Sequence, residues 1–182
     1  FVGGNTLSAQ TITKNEDGKY SLSVGHVTLT VDAQKGGKIV SYRYDDKEIL
    51  SQTKIPNSFG STFWTSPQSE WNWPPVPEYD TKPFNAEVAG DKLILTGEKS
   101  KRFGYRVRKE LTTDKKDNAI VITYTIINES GETRKVAPWE ISRVPNGGIL
   151  FFDAKEVTPA NNMETMPFVY EKKAAWYTLD ES

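Results

Sequence analysis

The chain has 182 residues, enough for one domain with a sizeable core, and no cysteine, so disulfides and thiolate metal sites are excluded. Its 23 basic and 24 acidic residues give a net charge of −1, which argues against a protein that grips nucleic acid by bulk charge. No apolar run approaches the roughly 20 residues that span a bilayer.

From the N-terminus, residues 1–10 read as a signal-peptide remnant with a cleavage point near Ala9 or Gln10, or as a disordered leader. The first reading implies export to the periplasm, the cell surface or the medium. Residues 11–182 are then expected to form one β-sandwich domain, cut short at its C-terminus, where Ala174 to Leu179 reads as a strand starting up.

Period-two alternation dominates the rest. Tyr20, Leu22 and Val24 alternate with serines, and Val27, Leu29 and Val31 with threonines, as in half-buried strands. Gly25 and His26 link the two. Gly36 and Gly37 open a strand from Lys38 to Tyr44, a turn follows at Asp45 to Lys47, and Glu48 to Leu50 returns. Residues 51–83 hold six prolines and three tryptophans, which predicts a long irregular excursion. Strands resume at Phe84 to Val88 and Lys92 to Gly97. Tyr105 to Leu111 follows, with Tyr105, Val107 and Lys109 on one row and Arg106, Arg108 and Glu110 on the other. The β-branched run Ala119 to Ile127 comes next, then Thr133 to Val144, where Pro138 implies an edge or a bulge, then Ile149 to Phe152. No window carries a helical period. The expected fold class is all-β, an antiparallel β-sandwich.

The segment Val31 to Glu48, with its glycine pair and following strand, resembles the opening of the galactose-mutarotase-like (aldose 1-epimerase-like) β-supersandwich. Ile122 to Ser130 resembles that family's central strand and its asparagine turn. Gly60 to Gln68 and Trp71 to Pro75 resemble an uncharacterised bacterial branch. The resemblance implies a supersandwich fold and a sugar-facing concave sheet. Family epimerases use a histidine acid after the asparagine turn, and here that stretch, Lys135 to Val144, has none. The lone histidine, His26, lies on an early strand. Ordinary mutarotation is therefore not the expected activity.

The candidate site residues follow from sugar chemistry. Apolar sugar faces stack on indoles, and amides or charged groups take the hydroxyls. Trp64, Gln68, Trp71, Trp73, Trp139 and Arg143 are the candidate substrate-binding residues. Trp71 and Trp73 point the same way if the backbone between them is extended. The competing reading has these tryptophans plugging one end of the sandwich.

Glu140 is the candidate acid, with a carboxylate from Glu70, Glu78 or Asp80 as a second group. On an extended strand Glu140 and Arg143 take opposite faces. Arg106 and Arg108 fit an outward, solvated face, as does the basic stretch Lys99 to Lys109 as a whole. Asn128-Glu129-Ser130 fits the N-glycosylation pattern, which has meaning only in a eukaryotic secretory setting. No metal site and no cofactor motif is visible. The expected partner is carbohydrate. The alternatives are a structural or protein-binding sandwich and an accessory domain of a polysaccharide-degrading enzyme.

Overall fold

The computed structural model describes residues 11–53, 55, 58–154 and 168–178. The fold is all-β and antiparallel. The chain divides into two compact units, Phe1–Val144 and Pro145–Ser182. The sequence reading carries one domain through this boundary; the division falls where Pro145, Asn146, Gly147 and Gly148 interrupt the strand pattern.

The first unit opens with β1 (Ile12–Lys14), β2 (Tyr20–Val24), β3 (Val27–Asp32), β4 (Lys38–Tyr44) and β5 (Lys47–Glu48). After these come β6 (Ser61–Ser66), a single 3-10 turn (Gln68–Glu70) and α1 (Pro77–Asp80). Then follow β7 (Asn85–Ala89), β8 (Lys92–Thr96), β9 (Tyr105–Asp114), β10 (Ala119–Asn128) and β11 (Ala137–Ser142). One sheet has the order β1-β2-β3-β4-β6-β11 with β5 on β4, and the other has the order β10-β9-β8-β7. Their inner faces meet in a core built from Leu22, Leu29, Val31 and Phe63 on one side and Leu93, Leu95, Val107 and Leu111 on the other. Each such side chain, fully buried, contributes about 1.5–3 kcal/mol.

β6 lies inside the stretch the sequence reading left irregular. Its six residues contain no proline, since Pro67 falls just past its end, so the ladder loses no donor. Pro138 lies in β11, an edge strand, where a missing N–H costs no ladder bond. In β4 the register slips between Thr30 and Val31 of its partner, and Val40 is the extra residue. This bulge lets Ile39 and Tyr42, three apart, both face the core.

Residues Tyr105, Val107, Lys109 and Leu111 form the buried row of β9. Lys109 therefore belongs to the core row and not to a solvated face. Its neighbours Arg106 and Arg108 do face outward, paired with Glu129 and Glu110.

The second unit is a three-stranded sheet of β12 (Ile149–Asp153), β13 (Val169–Glu171) and β14 (Ala174–Thr178), in the order β12-β14-β13. Ala175 is buried, and Phe151 stacks on Trp176 with ring centroids 5.0 Å apart. Ile149, Phe151 and Val169 are exposed.

Candidate functional site

The strands β6 and β11 carry the candidate residues, and their register sorts them. Trp64 pairs with Trp139, while Phe63 pairs with Glu140 and Ser61 with Ser142. Paired residues share a face, so Trp64 and Trp139 lie on one side of the sheet and Glu140 on the other.

On the outer side, four tryptophans meet. The Trp64 ring is edge-on to Trp71, Trp73 and Trp139, with centroids 5.7, 6.1 and 5.6 Å apart. Trp71 and Trp139 are 6.3 Å apart. Edge-to-face contacts of this kind satisfy the ring quadrupoles and fix the indole planes. Exposure is graded: Trp71 is 3% exposed and Trp73 70%. Trp71 Nε1 donates to the Thr65 carbonyl at 2.8 Å, and Trp64 Nε1 donates to Asp80 Oδ1 at 2.9 Å.

Alternation does not set the directions of the two excursion tryptophans. Trp71 has near-helical backbone angles and Asn72 has φ +58°, so the segment between them is a turn and not extended.

Arg143 shares this face. Its guanidinium carbon lies 5.9 Å from the Trp64 ring centroid, and Nη1 donates to Thr62 Oγ1 at 3.2 Å. Gln68, at the start of the 3-10 turn, is exposed and reaches the Asn72 carbonyl at 3.4 Å. Glu78 and Glu70 face Lys82 and Arg134. His26 is on the surface, stacked on Tyr44, with Nδ1 2.7 Å from Asp45 Oδ1.

On the inner side a cleft of about 320 Å³ opens between the sheets. Leu29, Ile39, Leu50, Ile120 and Ile122 wall it, and Ser61, Tyr124, Glu140 and Ser142 bring polar atoms to it. Ser61 donates to Glu140 Oε1, and the Ser142 hydroxyl reaches the same carboxylate at 3.2 and 3.3 Å. Glu140 stands at the mouth with part of its length in solvent. Burial still raises its carboxyl above the usual range, against the pull of the Ser142 hydroxyl and the Lys109 and Arg143 charges. Tyr124, stacked on Phe63 at 4.8 Å, is pushed up by burial and by the Glu140 charge.

Behind the cleft, Lys109 is 3% exposed and Nζ donates to the Gly36 and Gly37 carbonyls at 2.8 and 2.9 Å. Burial brings its amine down to about 7, with Glu140 and Asp80 opposing. The sequence signal was a lysine at an apolar parity position between Val107 and Leu111.

The sign of the resulting pH dependence follows by linkage. Between the folded value of about 7 and the ordinary 10.5, the unfolded chain holds a proton that the folded chain does not. Stability therefore rises with pH across this window, by up to about 1.4 kcal/mol per unit. Above about 10, Tyr79 and Tyr124, both raised by burial, reverse the trend. Urea titrations between pH 7 and 9.5 are expected to show the rise, and Lys109→Met to flatten it to the smaller slope left by Lys38, which burial also lowers. The slope is the readout, because methionine also leaves the Gly36 and Gly37 carbonyls without these donors.

Among the described residues, no group of three or more His, Asp or Glu side chains could hold a metal ion, and no helix is long and apolar enough to cross a membrane.

No family model matches this sequence, and no curated protein matches it. Among solved structures the chain is similar to the crystal structure of 4-alpha-glucanotransferase from Thermococcus litoralis. The identity is 13% and the TM-score 0.39, over 75% of this chain and 24% of that one. The chain thus spans about a quarter of that protein's length.

Proposed function

We propose that this protein binds carbohydrate on the outer face of β6 and β11, with Trp73 and Trp64 as the stacking surface. The observation that carries this reading is the exposed Trp73 indole, held edge-on against Trp64 in a cluster anchored by the buried Trp71. An indole exposed to that extent gives up most of the hydrophobic gain of burial, yet its ring is positioned by a neighbour. A flat, oriented aromatic ring beside charged and hydroxyl-bearing groups matches a pyranose, whose apolar C–H face stacks while its hydroxyls take hydrogen bonds. Arg143 and Asp80 supply charged groups here, while the buried Thr62 accepts from Arg143.

The proposal is of binding and not of turnover. Glu140, the candidate acid, lies on the inner face, across the sheet from Trp64 and Arg143. Export, the remaining part of the proposal, suits a protein that meets polysaccharide outside the cytoplasm.

A glycan array followed by calorimetry tests the reading. Trp73→Ala is expected to weaken binding by about 10- to 100-fold, the effect of losing an aromatic hot spot worth about 1.5–3 kcal/mol. Its stability should stay within about 0.5 kcal/mol of the parent, since the side chain is on the surface. Full glycan binding by Trp73→Ala would reject the indole surface. Absence of binding to every glycan would reject the function.

A further inference from the structure

We propose that the outer face of β4, β6 and β11 seats the carboxylate or sulfate of an acidic saccharide, with Arg143 holding the anion and Lys38 supplying positive field from beneath. This rests on the carbohydrate reading above and adds the class of sugar.

Strand alternation turns both cations to the outer face, on either side of one row. Ile39, Ser61 and Ser142 form one row on the inner face. Lys38 precedes Ile39 and Thr62 follows Ser61, so these two turn outward in the next row, with Ile141 opposite Thr62. Arg143 turns outward on the other side of Ser142, beside Gly60, and its side chain reaches back to Thr62. Thr62 Oγ1 accepts from Arg143 Nη1, the Lys38 ammonium lies 4.2 Å from the Phe59 ring centroid, and the Arg143 guanidinium carbon lies 5.9 Å from that of Trp64.

Neither cation has a carboxylate within ion-pair distance among the described residues. Arg43, Arg106, Arg108 and Arg134 do, while Arg102 instead donates to the Glu70 carbonyl. The carboxylates that face this patch are held elsewhere. Asp80 accepts from the Trp64 indole at 2.9 Å. Asp32, cross-strand from Lys38, takes the Gln34 amide at 3.0 Å and lies 4.0 Å from Lys35 Nζ. Glu140 is on the opposite face.

Two desolvated cations of one sign repel, and the consequence is visible in Lys38. Its ammonium is held below the usual range by burial and then by the Arg143 charge, with Asp80 opposing. At 4% exposure Lys38 acts through its field more than by contact. Arg143 is half-buried, and with one nitrogen on Thr62 it keeps further donors in a planar fork suited to a carboxylate or sulfate. A neutral sugar hydroxyl would fill a donor without relieving the repulsion. An anionic substituent on a ring stacked at Trp64 does both.

The test uses matched ligands on the whole chain: galacturonan against its methyl ester, and dextran sulfate against dextran, each by calorimetry. The expected result is a charged member bound about tenfold or more tightly than its neutral partner, the scale of one charge-assisted pair. That preference should fall as salt rises from about 50 mM to about 500 mM, and Arg143→Gln should bring the ratio close to one. The first pair reports carboxylate and the second sulfate. Equal affinity within both pairs overturns the anion seat and leaves the indole surface standing. No binding by any of the four, nor by a wider neutral and acidic array, overturns both. If Arg143→Gln does not fold, the matched pairs and the salt series on the unaltered protein decide.

Discussion

Replacing Trp71 with alanine is expected to destabilise the protein by about 3–5 kcal/mol, the range for deleting a buried large aromatic. Against a typical total of about 5–15 kcal/mol, that is a large share of the fold. Two effects combine. The ring is almost fully buried and packs against Trp64 and Trp139. Its Nε1 is also a buried donor to the Thr65 carbonyl, and the Thr65 hydroxyl already lacks a partner among the described residues. Trp71→Phe should recover part of the loss by restoring ring contact without the hydrogen bond. The measurement is the urea midpoint of Trp71→Ala, Trp71→Phe and Trp73→Ala side by side. If Trp71→Ala loses no more stability than Trp73→Ala, the division of the cluster into an anchor and an exposed contact is wrong.

Gly36→Ala should cost about 2–4 kcal/mol, and Gly90→Ala only about 1 kcal/mol. Both glycines have φ +64°, so both substitutions carry the same left-handed strain. They differ in their surroundings. A Cβ on Gly36 would sit 2.2 Å from the Asp80 carbonyl oxygen and 2.9 Å from that of Tyr79, and backbone atoms cannot swing aside as a side-chain tip can. A Cβ on Gly90 meets nothing within 4 Å. The excess in Gly36→Ala therefore measures the contact between this turn and α1.

The same turn couples the core to the outer face. Moving α1 displaces Asp80, the acceptor of the Trp64 indole, together with Tyr79, which is fully buried. Tryptophan fluorescence of folded Gly36→Ala should shift relative to Gly90→Ala. Equal costs for the two substitutions would mean that α1 yields freely.

These two expectations locate the proposed site on a rigid support. The excursion is anchored by Trp71 below and by α1 at its far end, so Trp73 is presented and not left to wander. The pre-set ring lowers the ordering cost of binding, which is how a small aromatic surface reaches useful affinity.

Much of this was legible in residue order. Period-two alternation placed β2, β3 and β9, because each strand of a sandwich buries one face and wets the other, while glycine and turn signals bounded β4, β7 and β8 and a β-branched run marked β10. The same alternation set Glu140 and Arg143 on opposite faces, and Pro138 marked an edge or a bulge. β6 was hidden because the density of prolines around it outweighed six proline-free residues. The extended segment that would align Trp71 with Trp73 does not form, because a single left-handed residue, Asn72, turns the chain between them, and asparagine tolerates that conformation without announcing it. Lys109 was readable as a core-row lysine but not as an amine tethered to Gly36 and Gly37, since its partners lie more than seventy positions away.

Alternation within one strand is a local property, written in consecutive residues, and it specified the sheets. The meeting of Trp64 with Trp139, of Arg143 with Thr62, and of Asp80 with an indole depends on which strands become neighbours and in what register. That choice belongs to the packing of the whole core, because burying the apolar faces of distant strands together is the only thing that brings those side chains within reach.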